Sequence, residues 1–252
     1  MTEEDFTARH YGPRASAYVA SAVHAQGADL DEIAALLEGR GFGRVLDLGC
    51  GGGHVSYRAA PHAGEVVAAD VTPPMLDEVA REAARRNLPN ITTAHAAAEA
   101  LPFADAHFDA VLSRFSAHHW RDFAAGLRQA RRVAKPGALA VFIDTNAPAA
   151  PLLDTHLQTI ELLRDASHVR NYSVAEWAAE LSRAGFALRG FTPRRLPLDF
   201  ATWTARTDTA PEFRAAIRLL QTGAPEAVKA HFAVAADGSF TIDTASFVAE
   251  AI

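Results

Sequence analysis

Short apolar runs alternate with stretches of helical period across residues 40–146. The run "RVLDLGC" (44–50) is apolar and bounded by glycine, the pattern of a buried strand. The run "GEVVAAD" (64–70) repeats it and ends in Asp70. In "MLDEVAREAARRNL" (75–88), Met75, Leu76, Val79 and Ala83 recur at helical spacing among good helix formers. "NITTAHA" (90–96) is a weaker strand pattern and "FDAVLSRFSA" (108–117) a stronger one. "FAAGLRQARRVAKPG" (123–137) predicts a helix closed by a Pro-Gly turn, and "ALAVFIDT" (138–145) another strand. Strands separated by helices need crossover connections, so this region predicts an α/β layered fold around a parallel sheet.

The flanks differ. "DLDEIAALLEG" (29–39) is amphipathic and stops at Gly39. Beyond residue 150 the pattern is mostly helical, in "PLLDTHLQTIELLRDA" (151–166), "VAEWAAELSRAGF" (174–186) and "APEFRAAIRLLQTG" (210–223). In the second, Trp177 and Phe186 sit at core spacing. "GSFTIDTASFVAEAI" (238–252) predicts a turn and a closing strand. The expected organisation is one domain over 1–252: a helical segment 1–38, a sheet core 40–146, and helical additions with closing strands over 147–252.

Composition narrows the classes. The 252 residues are 49% hydrophobic and 21% charged, enough for a sizeable core. The formal net charge of -6 gives no general attraction to nucleic acid or to an anionic membrane. The basic pairs Arg85-Arg86, Arg131-Arg132 and Arg194-Arg195 are short and predict solvated faces. A single cysteine allows no intrachain disulfide and fits a reducing compartment. The acidic start "MTEEDFTARH" does not have the form of a secretory signal, and no apolar run reaches membrane-span length. The expected location is cytoplasmic, with no membrane and no nucleic-acid partner.

The candidate chemistry starts at "VLDLGCGGGHVS" (45–56). Ligands of open α/β sheets bind beyond the carboxyl ends of the strands, where this loop lies. A dinucleotide fingerprint needs a third glycine, but Gly49-x-Gly51-x-x is followed by His54. A phosphate-cradling P-loop needs a lysine, and none is near. Asp47 inside the preceding strand disfavours a bound anion and suits a ligand with a positive end. Asp70, 17 residues past Gly53, is placed to accept hydrogen bonds from both hydroxyls of a ribose. Adenosine, positive charge and no phosphate describe S-adenosylmethionine.

The loop resembles motif I of class I S-adenosylmethionine-dependent methyltransferases. "AAAEALPFADAHFDAVLSRFSAHHW" (96–120) and "RVAKPGALAVFID" (132–144) resemble later segments of the ubiquinone/menaquinone-biosynthesis type of this family, over residues 40–146. The resemblance implies a doubly wound, Rossmann-like, mostly parallel seven-stranded sheet. Helices cover both its faces, the last strand is antiparallel, and a helical N-terminal lid and helical C-terminal additions flank it. It implies that Asp47 approaches the ligand's amino group and that Gly49, Cys50, Gly51 and Gly53 form the close-approach loop. Asp70 would take the ribose, Val71 and Met75 would meet the adenine, and Ala98 and Glu99 would flank its other edge. Relatives often carry Asp where this chain has Ala97, so a side-chain contact to the adenine amino group is missing. Ser113, Arg114 and Phe115 would lie beside the methionine part.

Methyl transfer is an in-line displacement with a neutral leaving group, so alignment does most of the work. A hydroxyl or acidic carbon acceptor is helped by a base, for which His118 and His119 are candidates, His118 the better. The alternative is that "AHHW" caps the next helix and packs against the cofactor. The pair lacks the companion ligands of a zinc site. Tyr11, Tyr18 and His24 are candidates for the lid, and Arg164, His168 or Arg170 of "RDASHVRNYS" (164–173) for the acceptor site, unless that segment is an ordinary surface loop. The expected partner is a small-molecule acceptor; oligomeric state is open. Competing readings are an NAD-dependent oxidoreductase and a non-catalytic S-adenosylmethionine-binding protein. Methylation of nucleic-acid bases fits less well, because positions 113–116 read Ser-Arg-Phe-Ser rather than an Asn/Asp-Pro-Pro-aromatic motif.

Overall fold

The computed structural model describes residues 27–252. Its strands are β1 (Phe42–Leu48), β2 (Ala63–Asp70), β3 (Ile91–His95), β4 (Phe108–Arg114), β5 (Ala134–Thr145), β6 (Phe186–Leu198) and β7 (Phe240–Ala251). They form one sheet in the order β3-β2-β1-β4-β5-β7-β6. Neighbours from β3 to β5 are parallel, and β7 runs antiparallel to both β5 and β6. The order reverses at β1 and β4, the switch point at which such sheets open a crevice.

The helices are α1 (Ala28–Leu37), α2 (His54–Ala59), α3 (Pro73–Arg85), α4 (Phe123–Val133), α5 (Pro151–Arg164), α6 (Val174–Ala184), α7 (Phe200–Arg206), α8 (Pro211–Thr222) and α9 (Glu226–Phe232). Two apolar layers cover the sheet. One gathers Leu46, Val111, Phe142, Trp177 and Phe247; the other gathers Ile33, Val45, Leu112 and Val141. Trp177 and Phe186 are buried in the first layer, as their spacing predicts. A third cluster, around Trp203, Ile217, Phe232 and Ile242, joins α5 and α7–α9 to the ends of β6 and β7. None of the helices among the described residues is long and apolar enough to cross a membrane.

Two expectations change. Pro136-Gly137 does not close a separate turn after α4. The helix stops at Val133 and the pair lies inside β5, where the register with β4 shifts between Phe108 and Ala110. Lys135 precedes a proline, which disfavours helix, and Gly137 at φ +77° supplies the irregular backbone of a bulge. Arg85-Arg86 is a solvated face as expected, but the other two basic pairs are more than that. Arg194 donates to Glu32 of α1 at 2.8 Å and to Ser246 Oγ at 2.7 Å, tying α1 to the sheet edge. Arg132 donates to the carbonyls of Leu101 and Phe103. Arg131 holds the carbonyls of Gly185 and Ile252.

Candidate active site

One cavity lies beyond the carboxyl ends of β1, β2, β4 and β5. It runs from the glycine loop, past the turn after β4, to a wall built by α5, β6, α7 and β7.

At the glycine-loop end β1 delivers Leu48 and the chain turns at Gly49, with φ +70°. A Cβ there would stand 1.8 Å from Ser116 Oγ, so only glycine fits both the turn and the neighbour. Ser116 Oγ in turn accepts from Trp120 Nε1 at 3.0 Å, coupling this loop to the turn that carries the histidines. The backbone N–H groups of Gly49 and Cys50 both donate to Ala69 O at 2.9 Å, fixing the loop to β2. Asp70 accepts from Gly51 N and Thr72 N, each at 2.9 Å. Asp47 accepts from Ser56 N at 2.9 Å and Ser56 Oγ at 2.6 Å.

Burial raises both carboxyl groups, Asp47 to about 7, against the hydrogen bonds that favour their charged forms. Buried Asp47 and half-buried Asp70 at the edge of one cavity are stabilised by a cationic or hydroxyl-bearing ligand. Those acceptors fit the ammonium, sulfonium and ribose of S-adenosylmethionine and repel phosphate. Val71, Met75, Ala97, Ala98 and Glu99 border the same end, and of these side chains only that of Glu99 is polar.

Two placements differ from expectation. Gly53 does not face the cavity. It sits at the N-cap of α2 with φ +79°, where a Cβ would come within 2.8 Å of the Tyr57 ring. Ser113 turns the other way, donates to Leu48 O at 2.8 Å and does not border the cavity. Cys50 borders the cavity as expected of a loop residue, and burial pushes its thiol up, so it stays protonated.

Arg114 and Phe115 border the middle of the cavity. Asp29, in the first turn of α1, pairs with Arg114 Nε at 2.5 Å. Phe115 has φ +50°, a strained conformation for a residue with a side chain, of the kind concentrated at functional turns. It begins the turn leading to the short 3₁₀ segment Ala117–His119. That segment does not cap α4. Asp122 does, accepting from Ala125 N at 2.8 Å.

His118 and His119 both border the cavity. His118 Nδ1 lies 2.5 Å from Asp144 Oδ1, and its backbone N–H donates to Asp144 Oδ2 at 3.2 Å. Asp144 is 2% exposed near the end of β5. Burial opposes charge on His118, yet the Asp144 carboxylate outweighs it and raises the imidazole above its ordinary value. With Nδ1 committed to Asp144, Nε2 is the nitrogen left to meet a ligand. His119 makes contacts to Ser167 O and Oγ, and burial with the adjacent His118 lowers it to about 4. It is neutral at pH 7.

The segment after α5 is a buried polar layer rather than a surface loop. Asp165, Ser167, His168 and Asn171 are all buried. Arg164 reaches the cavity, but His168 and Arg170 do not. His168 Nε2 meets Gln158 Oε1 at 2.9 Å, and burial lowers it to about 2, while Arg170 pairs with Asp154 and Glu176. Tyr11, Tyr18 and His24 lie outside the described residues.

Sequence reasoning missed Asp144, Glu161, Trp203, Arg206 and the apolar wall of Leu196, Leu198 and Ile242. Asp144 had a signal: an acid ending the apolar strand "ALAVFIDT" lies where such sheets place ligands. The wall had none, because it depends on how β6 and β7 pair. Their ladder continues past the end of β5 and sets Leu196 opposite Ile242.

Residues 46–142 match a family described as a methyltransferase domain. The chain is similar to the uncharacterised protein YafE of Escherichia coli strain K12, 44% identical over 191 residues, covering 76% of this chain and 92% of YafE. It is similar to the uncharacterised methyltransferase YcgJ of Bacillus subtilis strain 168, 33% identical over 199 residues and 79% of each chain. The crystal structure of the Bacillus subtilis YcgJ protein superposes with a TM-score of 0.85 at 28% identity, covering 88% of this chain and 97% of that one.

Proposed function

Because this chain belongs to the class I S-adenosylmethionine-dependent methyltransferases, we propose that it methylates a hydroxyl or an acidic carbon of a small-molecule acceptor, with His118 as the general base. S-adenosylmethionine supplies an electrophilic methyl on a sulfonium centre. Asp47 and Asp70 would hold its charged and ribose parts, the backbone at Gly49 and Gly51 would approach it closely, and Val71, Met75, Ala98 and Glu99 would enclose the adenine.

The observation that carries this reading is the Asp144–His118 pair on the border of a cavity whose other end holds the acids Asp47 and Asp70. Asp144 holds the imidazole in the tautomer with hydrogen on Nδ1, so Nε2 keeps its lone pair. A proton leaving the acceptor passes to that nitrogen, and the Asp144 carboxylate stabilises the imidazolium formed. The buried surroundings of His119 keep that ring uncharged, so it does not compete for the proton. The apolar wall of Leu196, Leu198 and Ile242 excludes water from the acceptor end.

Calorimetric titration tests the cofactor end. S-adenosylmethionine is expected to bind with one-to-one stoichiometry, and Asp70→Ala to weaken it by about 1–3 kcal/mol through lost hydrogen bonds to a charged group. A folded protein that binds NAD and no S-adenosylmethionine contradicts the reading. Release of S-adenosylhomocysteine on adding hydroxylated acceptors tests turnover.

Asp47 adds a proton signature. Without a ligand burial holds it near 7, so below that pH it is largely protonated. A nearby cation favours the carboxylate and lowers its pKa. Binding at pH 6 is therefore expected to release close to one proton, and the share released by Asp47 to fade as the pH rises above 7. Calorimetry in buffers of different ionisation enthalpy measures this. Equal heats in all buffers at pH 6 would exclude Asp47 as the cation partner.

A further inference from the structure

We propose that Glu161 determines acceptor specificity: its Oε1 accepts a hydrogen bond from a second hydroxyl of the acceptor, distinct from the one that is methylated beside His118. The proposal rests on the methyltransferase reading above. Among the described residues the cavity is lined by four arginines and four acids, so net charge does not select the acceptor. Individual hydrogen-bonding atoms at the far wall do.

Glu161 lies in the last turn of α5. It is 7% exposed and borders the cavity. Its Oε2 accepts from Arg164 Nη1 at 3.1 Å, whereas its Oε1 has no hydrogen bond among the described residues. A buried carboxylate oxygen without a donor is costly, and a ligand hydroxyl removes that cost through a charge-assisted bond. Because Glu161 is already paired with a cation, a neutral hydroxyl completes it rather than a second cation.

The backbone ties Glu161 to the base. His118 O accepts from Val169 N at 2.9 Å and from Arg170 N at 3.2 Å, and Asp165 N donates to Glu161 O at 2.9 Å. The last turn of α5 and the histidine turn are thus joined through residues 165–170. Burial and Asp144 act most strongly on His118, and the Glu161 carboxylate follows them, so it stands within electrostatic reach of the base. Leu196 and Leu198 alternate onto one face of β6, Ile242 is the cross-strand partner of Leu196, and Trp203 borders the same cavity from α7. An apolar body fits against these four side chains while its two hydroxyls reach His118 Nε2 and Glu161 Oε1. At the reacting hydroxyl the oxygen bonds to the methyl carbon, the sulfur–carbon bond breaks to leave S-adenosylhomocysteine, and the proton passes to His118 Nε2. The second hydroxyl keeps its proton and holds the acceptor in line.

Calorimetry on the full chain loaded with S-adenosylhomocysteine tests this. The probes are catechol and resorcinol, each against phenol, and the cyclohexanediols against cyclohexanol. The diol that binds best is expected to bind about tenfold or more tighter than its mono-ol, which leaves Oε1 without a donor. In Glu161→Leu that ratio is expected to fall toward one. In Glu161→Gln, which keeps an oxygen at the same place, it is expected to fall only partly. A damaged fold would weaken diol and mono-ol together and leave the ratio, so the ratio separates recognition from structure. Diols that bind no tighter than their mono-ols overturn the proposal, as does a ratio unmoved by Glu161→Leu. So does S-adenosylhomocysteine binding normally while no diol binds. Failure of S-adenosylhomocysteine itself to bind overturns the methyltransferase reading instead.

Discussion

Replacing His118 with Asn is expected to lower the rate of methyl transfer by about 10²- to 10⁴-fold, the range lost when a positioned general base is removed. The expectation follows from three facts acting together. His118 borders the cavity, its Nδ1 is held by Asp144 at 2.5 Å, and that carboxylate raises it in spite of burial. A base is useful when its neutral form dominates at working pH and its lone pair faces the acceptor; the Asp144 contact provides the second condition. The loss belongs in kcat, because proton removal occurs on the way to the transition state. The check is S-adenosylhomocysteine release under saturating acceptor. A variant within threefold of wild type would leave His118 with a packing role only, which is the outcome the non-catalytic reading requires.

Replacing Trp177 with Ala is expected to cost about 3–5 kcal/mol of stability, the range for deleting a large buried aromatic side chain. Trp177 is 1% exposed. Its ring stacks on Phe247 with centroids 4.9 Å apart, meets Phe123 edge-on at 4.6 Å and lies 5.7 Å from Phe142. It therefore joins α6, α4, β5 and β7, and its removal leaves a cavity between elements held by strand ladders on one side only. The indole Nε1 has no hydrogen-bond partner among the described residues, so the ring contributes through volume and contact rather than polarity. Trp177→Phe is accordingly expected to cost much less than Trp177→Ala. Urea denaturation of both variants measures the difference. A cost below about 1 kcal/mol for the alanine variant would contradict the close-packed core.

The sheet core was legible because its information is local. Apolar runs ending at Gly49, Asp70 and Thr145 mark where strands stop, and α/β topology sends those ends to one crevice. Asp47 and Asp70 border that crevice for the same reason; Met75 and Ala98, which border it too, came from the family resemblance rather than from local pattern. Ser113 and Gly53 were misplaced because which way a residue faces at a strand end or helix cap is set by packing: Ser113 toward Leu48 O, Gly53 against Tyr57. The far wall of the cavity was hidden because it joins residues from α5, β6, α7 and β7. The segment after α5 looked like surface because it is polar, yet its polar groups hold one another inside the molecule, as Ser167 and Asp165 do at 2.6 Å.

The pH dependence of methyl transfer in wild type and Asp144→Asn tests the central claim most directly, that Asp144 sets His118 as the base beside the bound donor. The base form of His118 exists only above its pKa, which Asp144 holds above the ordinary 6.5. The account predicts a wild-type rate that rises with pH through a midpoint above 6.5. In Asp144→Asn the midpoint moves to lower pH, because the charge that favoured the imidazolium is gone, and the plateau drops as the ring loses its orientation. A wild-type rate that is flat from pH 5 to 9, or a midpoint unmoved in Asp144→Asn, would contradict it.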